Sequence, residues 1–178
     1  MKNTFLLLLI FSALLFSCDK IDEANTFEFD TTVSMDIPVA VIETSAQAQK
    51  SALADYAFSV TQTNSLSEIE EIADYLDKLK SIDINDLEIV ISNLGEGELV
   101  KSIEISVDGV GVLVTLTDIS MENTTFTPEI DDSKLIQAAS ILSSTKAITI
   151  TVAGVTNTAP MDFMVNMDFD CHIEAKAL

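Results

Sequence analysis

Apolar and polar residues alternate with a period of two along most of this chain, as half-buried strands require. The clearest stretch places Met161, Phe163, Val165, Met167, Phe169, Cys171 and Ile173 at every second position without a miss. Fully extended it would reach about 40 Å, beyond an ordinary strand, which predicts a bend or bulge within it. Near the other end, Phe27, Phe29, Val33, Met35 and Ile37 share one face of a strand over 26–38, closed by Pro38. Residues 39–50 are mixed and read as a connection. Further strands are predicted over 56–62 and around Leu87-Ile89-Ile91, Ile103-Ile105-Val107, Val112-Val114-Leu116 and Ile148-Ile150-Val152. Turns are predicted at Gly95-Glu96-Gly97, over 154–160, and at Asp108-Gly109, a strong hairpin dipeptide.

Two segments change period. Leu66, Ile69, Ile72, Ala73, Leu76 and Leu79 recur at helical spacing behind a candidate capping box, Ser65 with Glu68. Acids fill the early turns and Lys78 and Lys80 the last, as a helix dipole favours. Asp131 or Asp132 caps a second short helix bearing Leu135, Ile136, Ala139 and Leu142. Between strands, residues 120–129 form a polar loop with Phe126 as an anchor. Seven strands with hairpin turns and no strand–helix repeat predict a mainly β domain. It is an antiparallel two-sheet sandwich, Ig-like or jelly-roll-like, with two short helices, occupying residues 26–178 as a single domain. A chain of this length buries about two-thirds of its unfolded-state surface.

The first residues follow other rules. After Lys2, residues 5–16 are apolar apart from Ser12. A twelve-residue helix rises only about 18 Å, short of the roughly 30 Å hydrocarbon core, so a secretory signal is a better reading than a membrane span. The run ends in Leu15-Phe16-Ser17-Cys18, followed by Asp19, Lys20, Asp22 and Glu23. This resembles the lipobox of bacterial lipoproteins, in which cleavage precedes a cysteine that becomes diacylated and then N-acylated. Leu15 and Ser17 fit that pattern, and Phe16 stands where a small residue is usual. The resemblance implies a signal peptide over 1–17, lipidation of Cys18, and an acylated cysteine with a flexible tether over 18–25. Several acyl chains together make a stable anchor where one does not.

Acids directly after the cysteine resemble the surface-export signals of Bacteroidetes lipoproteins. An aspartate in that position also resembles the inner-membrane retention signal of other envelopes. The outer membrane is the favoured expectation, with the cell surface ahead of the periplasmic face. The leader, Asp77-Lys78-Leu79-Lys80-Ser81-Ile82 running into Leu87 and Ser92-Asn93-Leu94, and the long last strand together resemble a group of uncharacterised flavobacterial lipoproteins. That resemblance implies a location and a fold, with no activity to carry over.

Charge narrows the function. The chain has 178 residues, with 29 acids against nine lysines and no arginine, for a formal charge of −20. A polyanion repels nucleic acid, and the lack of arginine removes the usual bidentate clamp for phosphates and carboxylates. Two tyrosines and no tryptophan argue against aromatic platforms for bases or sugars. Neither a Gly-x-Ser-x-Gly elbow nor a phosphate-cradling glycine loop occurs.

His172 is the only histidine, and on its side of the last strand lie Asp162, Asn166, Asp168, Asp170 and Glu174. Such a row offers hard oxygens for calcium, with Asp168, Asp170 and Glu174 as the metal candidates, or an imidazole made more basic by acids. The favoured expectation is instead a solvated strand face whose acids guard against edge-to-edge pairing. Strand neighbours at i and i+2 do not wrap an ion, so no metal is assigned. Cys171 falls on the inward face, away from His172, and reads as a small buried hydrophobe with no disulfide partner once Cys18 is acylated.

No catalytic constellation and no cofactor are indicated. The expectation is a lipid-anchored cell-envelope protein with a non-catalytic binding sandwich, held to the membrane by its N-terminal lipid. Its partner would be an envelope protein or an external ligand, and nucleic acid is excluded. The alternatives are a calcium-stabilised adhesion module and a carboxylate hydrolase acting on glycans.

Overall fold

The computed structural model describes residues 26–43 and 55–177. The leader, Cys18 and the tether lie outside the described residues, as does most of the connection expected over 39–50. Eight strands form two four-stranded antiparallel sheets. They are β1 (Thr26–Val41), β2 (Tyr56–Ser65), β3 (Leu79–Ser92), β4 (Val100–Val107), β5 (Gly111–Ile119), β6 (Thr125–Phe126), β7 (Ala147–Thr156) and β8 (Met161–Lys176). The first sheet has the order β1-β8-β3-β6 and the second β2-β7-β4-β5. Pairing is nested: β1 with β8, β2 with β7, β3 with β6, and β4 with β5. A ribbon of nested antiparallel pairs rolled into two sheets is a jelly roll, which resolves the two sandwich topologies left open by the sequence.

Alternation defines the core as expected. Phe163, Val165, Met167 and Phe169 of β8 lie opposite Val39, Ile37, Met35 and Val33 of β1, and Cys171 and Ile173 continue the β8 row, all buried between the sheets. Phe163 also contacts Phe58 of the opposite sheet edge-to-face, with ring centroids 5.4 Å apart. Pro38 does not end β1, which continues to Val41 with Val39 and Val41 buried. A proline is tolerated there because β1 is an edge strand, where a missing N–H takes nothing from the ladder. The bulge expected in β8 lies instead in its neighbour. β8 pairs with β1 in unbroken register over all sixteen residues, while β3 takes an extra residue between Leu79 and Ser81 and again between Ile84 and Asp86.

The helix expected over 65–80 is broken into a 3-10 turn (Leu66–Glu68), a single α-turn, α1 (Glu70–Ala73), and a second 3-10 turn (Leu76–Lys78). Ser65 does cap the first turn, its hydroxyl accepting from the Ser67 N–H at 3.2 Å. Ile69 is extended (φ −99°, ψ 112°), and Ala73 is exposed despite its place in the apolar pattern. The cause is tertiary. The Leu66 N–H donates to the Lys146 carbonyl at one end, and Leu79 enters register with Ala175 at the other. A helix this short is marginal alone, and the break at Ile69 lets both Leu66 and Ile72 enter the core.

The second helix, α2 (Asp132–Thr145), is capped by Asp131, whose carboxylate accepts from the Ser133 N–H at 2.8 Å. Hydrogen bonds from Ser133 hold the Asp131 carboxyl below the usual carboxylate range. Leu135, Ala138, Ala139 and Leu142 are buried, whereas Ile136 is 67% exposed, against expectation. α2 packs on β3 and β7, covering the flank that the two-residue β6 leaves open. That short strand, with partly buried Phe126, is the eighth strand, found where a loop was expected.

Strand β7 also runs further than expected, through Gly154 to Thr156. Gly154 is required by close approach: a Cβ there would stand 2.1 Å from the Ser102 carbonyl oxygen and 2.7 Å from Cζ of Phe58. Gly154→Ala should therefore lower stability by about 3 kcal/mol, by forcing Phe58 and β4 apart. The midpoint of urea unfolding, at unchanged slope, is the measurement.

Candidate functional site: the acidic face of the β1-β8-β3 sheet

Even-numbered residues of β8 point away from the core, and register sets their neighbours. Asp170 lies opposite Thr32 of β1 and Asp86 of β3, and Asp168 opposite Ser34 and Glu88. His172 sits between Asp30 and Asp83, Glu174 between Glu28 and Ser81, and Asn166 between Asp36 and Val90. β8 is thus an interior strand, so its acids are not edge guards, as the sequence had suggested. They join acids from both flanking strands in one exposed carboxylate field. Three pairs in it, Glu28/Glu174, Asp86/Asp170 and Glu88/Asp168, are like charges directly opposite one another, an arrangement that destabilises a sheet.

The outer face of the other sheet has a different character. Thr61 and Thr151 share a hydroxyl–hydroxyl bond of 2.8 Å, and Thr63 and Thr149 one of 2.7 Å. Ser59, Ala153, Ser106 and Thr115 continue this small, neutral surface, with Glu104 as an acid among them. The carboxylates on the first sheet are therefore a local feature rather than a uniform result of composition.

His172 is a basic side chain within the field. Its Nδ1 lies 2.7 Å from Oδ1 of Asp30, and its Nε2 lies 3.9 Å from Oε2 of Glu28. The hydrogen bond to Asp30, with the charges of Asp30, Glu28 and Asp83, raises its pKa above the ordinary histidine value. Asn166 ties the far end of the face together: its Nδ2 donates to Asp36 at 2.6 Å, and its Oδ1 accepts from the Ser92 hydroxyl at 3.0 Å.

The sequence-based metal candidates separate here. Asp168 and Asp170 line one shallow depression with Asp86, Glu88, Thr32 and Thr127, while Glu174 lies further along the strand, beyond His172. Among the described residues, no three His, Cys, Asp or Glu side chains converge in a metal-holding arrangement. Asp86, Glu88 and Asp30 are site residues that sequence reasoning missed. Their alternation is visible locally, but register against β8 is a long-range property. Cys171 faces the core, fully buried, and burial pushes its thiol up to about 12, with Asp170 adding in the same direction. A thiol held neutral beneath the sheet is no nucleophile for the acids above it.

The His172–Asp30 contact predicts a pH effect. The single histidine should titrate above about 6.5, and Asp30→Asn should bring its midpoint down, as read from the imidazole resonance in NMR. Because the folded-state value is raised, the contact stabilises fully below the unfolded-state pKa and is lost as pH rises through the folded one. The stability gap between wild type and Asp30→Asn should therefore be wider near about pH 5.5 than near about pH 8.

No protein-family model matches the chain, and no curated protein matches it. Solved structures similar to it include a chain of Desmodium yellow mottle tymovirus (10% identity, 84% of this chain and 90% of that one, TM-score 0.35). Another is a chain of the semi-empty virus-like particle of the giant freshwater prawn Macrobrachium rosenbergii nodavirus (8% identity, 85% and 96% covered, TM-score 0.37). A third is from nora virus (8% identity, 85% and 61% covered, TM-score 0.36).

Proposed function

We propose that this is a lipid-anchored protein of the bacterial cell envelope, acylated at Cys18 and carried on the outer membrane at the cell surface. Its jelly-roll body is a non-catalytic binding domain. The acidic face of the β1-β8-β3 sheet takes a partner rich in basic side chains, another envelope protein or an external ligand. The observation that carries the binding role is the set of three directly opposed carboxylate pairs on that face. Repulsion of this kind works against the sheet, and a cationic partner relieves it on docking. The leader pattern supports the anchor: a short apolar run, then Leu15-Phe16-Ser17-Cys18, then acids.

Crosslinking in intact cells followed by pull-down should enrich a basic partner over an anchor-only control. Asp168→Lys with Asp170→Lys should weaken capture by about tenfold or more, and raising salt should weaken it in the wild type. Equal capture by the variant would refute the face as the binding surface. Protease added to intact cells should remove the protein, whereas protection until lysis would place it on the periplasmic side. Millimolar calcium should leave the melting temperature unmoved, since a cation bound only by the native state would raise it.

A further inference from the structure

The end of the sandwich at which β1 begins carries a cluster of aromatic rings. Phe27 and Phe29 are on the inward side of the β1 alternation, but the buried core of that strand starts only at Val33. Phe27 is 46% exposed. The two rings form a cluster with Tyr75 from the β2–β3 connection, at centroid distances of 5.4, 5.8 and 5.6 Å. Three lysines stand at the same end of the sandwich, Lys80 and Lys176 toward the outer face of the sheet. Lys176 pairs in register with Thr26, the Lys80 ammonium donates to the Thr26 hydroxyl, and Lys78 belongs to the turn beside Tyr75. These are three of the six lysines among the described residues. An end that carries aromatic rings on one side of the sheet and long ammonium side chains on the other suits the boundary between acyl chains and headgroup phosphates.

Chain length limits how far this end lies from Cys18. Seven residues separate Cys18 from Thr26, and even fully extended that distance is at most about 28 Å. We propose that the Phe27–Phe29–Tyr75 cluster rests on the bilayer surface, its rings at the acyl boundary and Lys78, Lys80 and Lys176 at the phosphates. This inference rests on acylation of Cys18 and adds an orientation to it. The neighbouring acids Glu70, Glu71, Asp74 and Asp77 disfavour an anionic surface, so the lipid is a zwitterionic one such as phosphatidylethanolamine. The strands then stand off the membrane, and the β5–β6 loop with exposed Met121 lies at the opposite end.

The chain has no tryptophan, so one introduced residue reports alone. Full-length protein carrying Phe27→Trp, Tyr75→Trp or Met121→Trp would be reconstituted in vesicles rich in phosphatidylethanolamine, with and without brominated acyl chains. The expected result is blue-shifted emission quenched by brominated lipid for the first two variants, and neither effect for Met121→Trp. Intact mass of the same preparations reads acylation. Absence of acyl chains on Cys18 would overturn the anchor and the orientation with it. Acyl chains present with both cluster reporters unquenched would overturn the orientation alone. A blue shift that follows protein concentration and ignores brominated lipid would assign the cluster to a second copy of the chain, which also overturns the proposal.

Discussion

The ladder between β1 and β8 is the constraint on which the rest of the molecule depends. It joins Thr26 to Lys176 and runs without a slip to Val41 and Met161. Every other pairing nests inside that closure in sequence, and the β1-β8-β3 sheet is complete only when the two extremes of the fold meet. Contacts of such sequence separation make folding slow compared with helical proteins. Because the side-chain period is two, a slip of one residue would turn the β8 core row outward and bury its acids. A single register therefore sets both the core and the carboxylate field.

Much of the fold is legible where one strand carries its own instructions. The unbroken alternation of β8 specifies both its extent and its buried face, and Asp108-Gly109 marks the β4–β5 hairpin, with φ +81° at Gly109. What fails is what depends on neighbours. Residues 65–80 carry a helical pattern that yields to attachments at Leu66 and Leu79, and where a bend or bulge is predicted within β8, the extra residues fall in β3 beside it. Pro38 looks terminal until β1 is known to be an edge. Ile136 fits the apolar spacing of α2, yet faces solvent because the helix rests on a narrow flank.

The candidate site was half legible for the same reason. Asp168, Asp170 and His172 can be placed on one strand face from spacing alone. Asp30, Asp86 and Glu88 are far away in sequence, and only register makes them neighbours. This changes the physical meaning of the acids. Spread along one strand they are solubilising, but across three strands they are like charges held directly opposite one another.

The long ladder also has a mechanical meaning. A pull on residue 26 directed away from the far end of the sandwich runs parallel to β1 and acts on its hydrogen bonds to β8 in shear. The bonds then share the force together, rather than opening one after another as in a peeled hairpin. The flanking β3–β8 pairing carries that force onward, bringing the centre of the sheet behind its edge. Along that direction β1 separates from β8 only when the whole ladder yields at once.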